Sequence, residues 1–174
     1  MITFTFVIDV KSALMVLENI LALLNSTDTP FTLREHEATL TSADSARVRG
    51  EVLSSGAKAI LYKVQDEFCL FVIAADQKID PKKIKTYFKS IGKKAKKTRF
   101  ASVDELDERT GLVPGSVPPF GKPILPFTLF IDPTLTANEK ISFNAGSLEH
   151  SVTMRLDDYI ELSKGIVFDF CMEE

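Results

Sequence analysis

Ala57-Lys58-Ala59-Ile60-Leu61-Tyr62-Lys63-Val64, then Gln65-Asp66-Glu67, then Phe68-Cys69-Leu70-Phe71-Val72-Ile73-Ala74-Ala75: this stretch sets the centre of the fold. Two β-prone runs joined by three polar residues read as a hairpin. The first run is apolar on both parities, as a strand covered on both faces is. Lys58 shares its parity with Ile60, Tyr62 and Val64, so an ammonium starts an apolar face. Two readings stand side by side. Lys58 snorkels at the strand end, or it sits in a cleft, where a point charge holds a carbonyl, a phosphate or an oxyanion.

Upstream, residues 2–8 begin with strict alternation and read as a strand, and Asp9 can cap the helix that follows. In that helix Leu14, Leu17, Leu21 and Leu24 recur at helical spacing, flanked by Ala13, Val16, Ile20 and Leu23. The polar run Asn25-Ser26-Thr27-Asp28-Thr29-Pro30 is a turn or short linker. It divides an N-terminal strand-helix extension, residues 1–29, from the main domain, residues 30–174. Glu35-His36-Glu37 does not open a zinc helix, because Leu40 stands where the second histidine of H-E-x-x-H belongs. A lone histidine beside glutamates is more often a surface hydrogen-bonder than a ligand or base. Thr41 or Ser42 then caps a helix through Ala43, Ala46 and Val52 that stops at Gly56.

Downstream, Asp80-Pro81 opens a lysine-rich helix with Ile84, Tyr87, Phe88 and Ile91 as its buried stripe, ended by Gly92. Thr98 to Ala101 is strand-like, and Ser102 with Glu105 forms a capping box for a helix whose Leu106 faces inward. Further strands are expected from Ile124 to Ile131, Lys140 to Phe143 and Ser151 to Leu156, the last two around Asn144-Ala145-Gly146. A short helix from Asp157 to Gly165 and a strand from Ile166 to Phe170 close the chain. Strands and helices mix without a βαβ rhythm, so the class is α+β, a mixed β-sheet or partly closed barrel with surrounding helices.

The Gly/Pro stretch Gly111-Leu112-Val113-Pro114-Gly115-Ser116-Val117-Pro118-Pro119-Phe120-Gly121 stops helix and central strand alike. It is a stiff loop that either presents main-chain groups in a set direction or serves as a rigid crossover. The chain's 174 residues, 45% hydrophobic and 26% charged, suit one soluble domain. Its net charge of −3 conceals an asymmetry. Nine basic residues and no acidic one lie between Lys82 and Arg99, leaving twelve basic against twenty-four acidic residues elsewhere. Lys93, Lys94, Lys96, Lys97 and Arg99 form its densest part. Such a patch is either a polyanion footprint or a solvated face.

Other chemistry is excluded by pattern. Two cysteines build no disulfide framework, and Cys69 reads as a small core residue. No Cys/His spacing supports a metal, no G-x-S-x-G elbow occurs, and no G-x-G-x-x-G follows a strand. Gly115 to Lys122 is one residue too long for a P-loop, with Pro123 in the Ser/Thr position. No apolar run reaches a membrane span and no basic n-region precedes a hydrophobic segment, so a cytoplasmic, membrane-free setting is expected.

Four stretches together resemble the YbaK/EbsC-type aminoacyl-tRNA editing domains, related to the editing insertion of bacterial prolyl-tRNA synthetase. They are Glu35-His36-Glu37-Ala38-Thr39-Leu40-Thr41, Gly56-Ala57-Lys58-Ala59, Gly115-Ser116-Val117-Pro118-Pro119-Phe120-Gly121 and Phe143-Asn144-Ala145-Gly146. The resemblance spans about residues 30–165. It implies hydrolysis of the ester joining a small wrong amino acid (alanine, serine, threonine or cysteine) to a tRNA 3′ end, with proline tRNA the nearest expectation. It implies no cofactor, no metal and no protein nucleophile. In that setting Lys58 anchors substrate or oxyanion and Gly115 belongs to the catalytic loop. Gly115, Pro119 and Gly121 shape the aminoacyl pocket, His36 and Asn144 line its polar rim, and Thr41 and Gly146 are further substrate-binding residues. The basic patch contacts tRNA, and a synthetase is a partner in cis or in trans. The alternative is a non-catalytic module that binds tRNA or a synthetase.

Overall fold

The computed structural model describes residues 10–173; the strand expected over 2–8 and the Asp9 cap lie outside the described residues. Helix α1, Val10–Ser26, buries Ala13, Val16, Leu17, Ile20 and Leu24. These recur every three or four residues and make one helical face. That stripe is turned from the expected line through Leu14, which is half-exposed. Both lines are periodic in a helix this apolar, so the surface beneath decides between them. Gly146 lies so close under α1 that a Cβ on it would stand 2.9 Å from Val16 Cγ1.

Strand β1, Phe31–Glu35, and helix α2, Ser42–Arg49, follow. Thr41 caps α2 by accepting the Asp44 amide. The helix ends at Gly50, not at the expected Gly56, because Gly50 takes the left-handed cap at φ 69° and donates to the Ala46 and Arg47 carbonyls. Strands β2, Ala57–Val64, and β3, Glu67–Ala74, form the expected hairpin in continuous register. Its turn is two residues, Gln65 and Asp66, with Gln65 at φ 56°. Helix α3, Pro81–Ser90, is capped by Asp80 and buries Ile84 and Phe88. Ile91, expected on that stripe, is the C-cap residue and half-exposed.

Strand β4, Thr98–Phe100, leads into helix α4, Val103–Thr110, where the Ser102/Glu105 capping box forms and Leu106 is buried. Strand β5, Thr128–Ile131, is shorter than expected. The amides of Ile124 and Leu125 both donate to the Gly121 carbonyl, closing a turn where a strand start was read. Strands β6, Lys140–Asn144, and β7, His150–Arg155, then helix α5, Leu156–Ser163, and strand β8, Ile166–Val167, complete the order. β8 stops early because the Phe170 and Cys171 amides donate to the buried Asp132 carboxylate, at 2.7 and 2.9 Å, in place of a strand.

The strands form two sheets, one of five in the order β4-β2-β3-β5-β8 and one of three in the order β1-β7-β6. The larger is mixed, with β5 parallel to both β3 and β8; the smaller is antiparallel. An isolated parallel bridge between Gly56 and Ser142 links them. Both faces of β2 and β3 are covered, as their composition required. Tyr62, Val64, Phe71 and Ile73 pack with Ile84 and Phe88 of α3. On the other face Leu61, Leu70 and Val72 share a core with Phe143, Val152, Tyr159 and the buried stripe of α1. No helix among the described residues is long and apolar enough to cross a membrane.

Candidate active site

The site forms where the central hairpin leaves an edge open. β4 pairs with β2 only at Tyr62, Lys63 and Val64, and no described strand pairs with the same edge over 57–60. In an antiparallel ladder, alternate residues turn their N–H and C=O groups to alternate sides. The Leu61 carbonyl accepts from the Ala101 amide at 2.9 Å, pointing away from β3. Ala59, two residues earlier, turns its own N–H and C=O the same way. Opposite that edge stands the Gly/Pro loop. Between them lies a cavity of about 180 Å³, with Lys58 and Ala59 on one wall, Gly115 and Val117 on the other, and hydroxyls of Thr39 and Ser45 behind.

The loop is fastened at three carbonyls. Gly115, at φ 88°, holds a backbone conformation that glycine alone takes without strain. Its carbonyl accepts from the Asn144 side-chain amide at 2.9 Å. The Ser116 carbonyl accepts from the Gly146 amide at 2.9 Å. The Pro119 carbonyl accepts from the buried Tyr159 hydroxyl at 2.7 Å, and burial raises the pKa of that phenol. These bonds convert a Pro-rich connection into a fixed wall.

Asn144 is itself oriented from behind. Its Oδ1 accepts from the Ser151 hydroxyl at 3.0 Å, and Ser151 Oγ also lies 2.7 Å from His36 Nε2 and 3.4 Å from Arg49 Nη1. The Arg49 side chain is 5% exposed and pairs through Nε with Glu51 at 3.2 Å. Burial lowers its pKa, and the Glu51 carboxylate opposes that shift. Gly56 makes room for the guanidinium, since a Cβ there would stand 3.1 Å from Arg49 Nη2. Thr39, Ser45, Arg49 and Ser151 were not singled out from the sequence. Arg49 carries the ordinary signature of a last-turn cation before a glycine cap, and nothing local signals its burial.

Lys58 begins the β2 face that α3 covers and lines the cavity at its end. Its ammonium donates to the Gln77 carbonyl at 2.9 Å. An ammonium carries three N–H donors, so two remain for a ligand. Burial lowers the Lys58 pKa, against the opposing field of Asp76.

Of the residues expected at the site, Thr41, Lys58, Gly115 and Asn144 meet at this cavity. His36 stands one step back, reaching Asn144 through Ser151. Pro119 and Gly121 are buried behind the loop, and a Cβ on Gly121 would lie 2.6 Å from the Phe127 carbonyl. Gly146 sits under α1, beside a separate apolar cavity of about 210 Å³ that Leu14 and Leu17 also line. In the basic patch, Lys93 pairs with Glu67 at 2.9 Å. Arg99 forks onto Glu105 at 2.7 Å through each nitrogen; that bond, with the Ser102 amide, holds the Glu105 carboxyl down at about 2. Lys94, Lys96 and Lys97 are exposed and pair with no carboxylate among the described residues. No group of three or more His, Cys, Asp or Glu among the described residues is placed to hold a metal ion.

Comparison with known proteins fits this geometry. The aminoacyl-tRNA editing domain family matches residues 36–162. The multifunctional Ser/Thr-tRNA deacylase ProXp-y of Escherichia coli (strain K12) is 32% identical over 159 residues, covering 88% of this chain and 91% of that protein. The protein of the same name from Escherichia coli O157:H7 matches to the same extent. A solved structure described as a candidate trans-editing enzyme for prolyl tRNA synthetase superposes with TM-score 0.76 at 20% identity, over 93% of this chain and 98% of that one. The crystal structure of the hypothetical protein APE2540 gives 0.75 at 22% identity, over 88% and 99%. These two share the fold. The chain belongs to the aminoacyl-tRNA editing domain family and is an aminoacyl-tRNA deacylase, a hydrolase.

Proposed function

We propose that this deacylase removes a hydroxyl-bearing amino acid, serine or threonine, from a mischarged tRNA. The observation that carries the reading is the small cavity between the β2 edge and the Gly/Pro loop, walled by Gly115 and Lys58 and backed by Thr39, Thr41, Ser42 and Ser45. A hydroxyl on the ligand can join the hydrogen bonds that Thr39, Thr41 and Ser45 already make there, whereas a purely apolar side chain of the same size gains none. The 32% identity to a protein named for Ser/Thr-tRNA deacylation supports the same choice.

In the reaction a water attacks the ester carbonyl carbon. The C=O electrons move onto oxygen, the tetrahedral intermediate collapses, and the ribose oxygen leaves with a proton from the water. Amino acid and tRNA are released. Main-chain groups of the fixed loop position ester and water. The free donors of Lys58 and the buried guanidinium of Arg49 supply positive potential where the oxyanion develops. Asn144 is a positioning residue, acting through Gly115. The exposed Lys94, Lys96 and Lys97 hold the tRNA backbone, and a prolyl-tRNA synthetase is the expected partner in cis or in trans.

The test is a panel of tRNAs charged with serine, threonine, alanine or cysteine, with proline tRNA among the bodies. Release of serine or threonine well above the spontaneous rate is expected, with alanine slower by about 10-fold or more. Preference for alanine would overturn the hydroxyl reading.

A further inference from the structure

We propose that a second cavity, beyond Gly115 and Val117 from the first, holds the terminal adenine of the tRNA; the proposal rests on the deacylase reading. The two cavities are contiguous. Ala59, Ile60, Gly115 and Val117 line both. Where the first is lined with hydroxyls and cations, the second, about 200 Å³, is lined by Leu61, Phe100, Val103, Leu106 and Pro114. An aminoacyl ester and the base of the same nucleoside are joined through one ribose. A polar pocket and an apolar slot sharing one wall match that pair of chemistries.

Three further features choose a nucleobase over a generic apolar occupant. Phe100 is 59% exposed and Val103 42% exposed, while Phe100 keeps an edge contact with Tyr62 at 5.2 Å between centroids. An exposed aromatic held by a second ring is a stacking platform, and base–aromatic stacking is sequence-tolerant and strong. The open β2 edge places the N–H and C=O of Ala59 side by side on the wall that both cavities share. A neighbouring donor and acceptor complement the acceptor and donor that adenine carries at N7 and N6. Finally, β4 runs from the unpaired lysines to this slot: Lys97 precedes Thr98, and Phe100 ends the strand. At about 3.3 Å per residue, Lys97 and Phe100 stand roughly 10 Å apart along it. A basic stripe leading to an aromatic is the arrangement that tracks a single strand.

The experiment titrates the isotopically labelled protein with the trinucleotide CCA and follows amide shifts, with Phe100→Ala, Phe100→Trp and Val103→Arg alongside. Saturable shifts are expected at Ala59, Phe100, Val103 and Val117. Phe100→Ala and Val103→Arg should each weaken binding by about tenfold or more, while Phe100→Trp preserves it. In steady state both weakening variants should raise KM for the mischarged tRNA and change kcat by less than about threefold. Thermal melts identify any variant that is merely unfolded, and Val103→Arg, at an exposed position, stands in if Phe100→Ala fails to fold. Shifts confined to other surfaces, no saturable shift, or wild-type affinity in a folded Phe100→Ala or Val103→Arg protein would overturn the proposal. The deacylase reading is judged separately, by hydrolysis of the charged-tRNA panel with the wild-type protein, so the two can fail independently.

Discussion

The side-chain amide of Asn144 donates to the carbonyl of Gly115 at 2.9 Å, tying the end of β6 to the Gly/Pro loop. The bond fixes one wall of the cavity from an element that belongs to the other sheet. Asn144→Ala is expected to lower kcat by about 10²-fold, the cost of a loop displaced on the ångström scale. KM should move much less. Because Ser151 would lose its acceptor too, the melt should also fall, by about 1–3 kcal/mol of stability. Wild-type kcat in a folded Asn144→Ala protein would remove Asn144 from the machinery.

Lys58 offers a sharper test because it is charged and half-buried. Lys58→Ala should reduce kcat/KM by about 10²-fold or more, the scale of one oxyanion donor. Burial lowers the pKa of this ammonium. In the proposed role the charged form is the active one, so activity should be lost as pH rises, beginning below the pH at which an ordinary lysine titrates. Lys58→Arg, if active, should push that alkaline limb upward. An alkaline limb unmoved in an active Lys58→Arg protein would show that another group titrates there.

Local signals were legible in the sequence and distant ones were not. The Ser102/Glu105 capping box and the β2–β3 hairpin depend on residues a few positions apart, and both formed as read. Periodicity placed Ile84 and Phe88 on the buried face of α3 but overran its end, putting Ile91 there as well. The glycine that stops α2 was misplaced because Gly50 and Gly56 are equally plausible in one dimension; Gly56 instead admits the Arg49 side chain. At the site, an ammonium starting an apolar face left Lys58 open between a snorkelling strand end and a cleft, and the residue lines the cavity. Its tie to Gln77, the burial of Arg49 and the Ser151 link between His36 and Asn144 are products of packing between sheets, which no local pattern carries.

Tyr159 tests whether the loop's stiffness matters to function. Its hydroxyl is the partner of the Pro119 carbonyl, inside the protein, where an unpaired carbonyl is costly. Tyr159→Phe keeps the ring packing against Phe120 and removes only the donor. A loss of about 1–3 kcal/mol in chemical denaturation is expected, with a fall in kcat that exceeds any change in KM. Unchanged stability would mean that the carbonyl finds another partner.

The two thiols are expected to be inert. Cys69 and Cys171 are buried, and burial pushes each thiol up to about 12. The reactive thiolate is therefore scarce at neutral pH. Native protein should resist alkylation at pH 8 over hours and react at both positions once denatured. Rapid labelling of the native chain at either cysteine would contradict the packing around it.

The basic patch is expected to act unevenly. Lys93 is already paired with Glu67, and Arg99 with Glu105, whereas Lys94, Lys96 and Lys97 are unpaired and exposed. A cation engaged by a carboxylate releases fewer counterions when a phosphate approaches, because part of its field is already spent. Reversing Lys94, Lys96 and Lys97 together to glutamate should weaken tRNA binding and flatten the dependence of log K on log salt by about two. Reversing Lys93 alone should do much less to that slope. Hydrolysis of a minimal aminoacyl-adenosine, which carries no phosphate backbone, should continue at the wild-type rate in both variants. An unaltered slope in the triple variant would make these lysines a solvated face. Equal loss on the minimal substrate would place the effect in the fold instead.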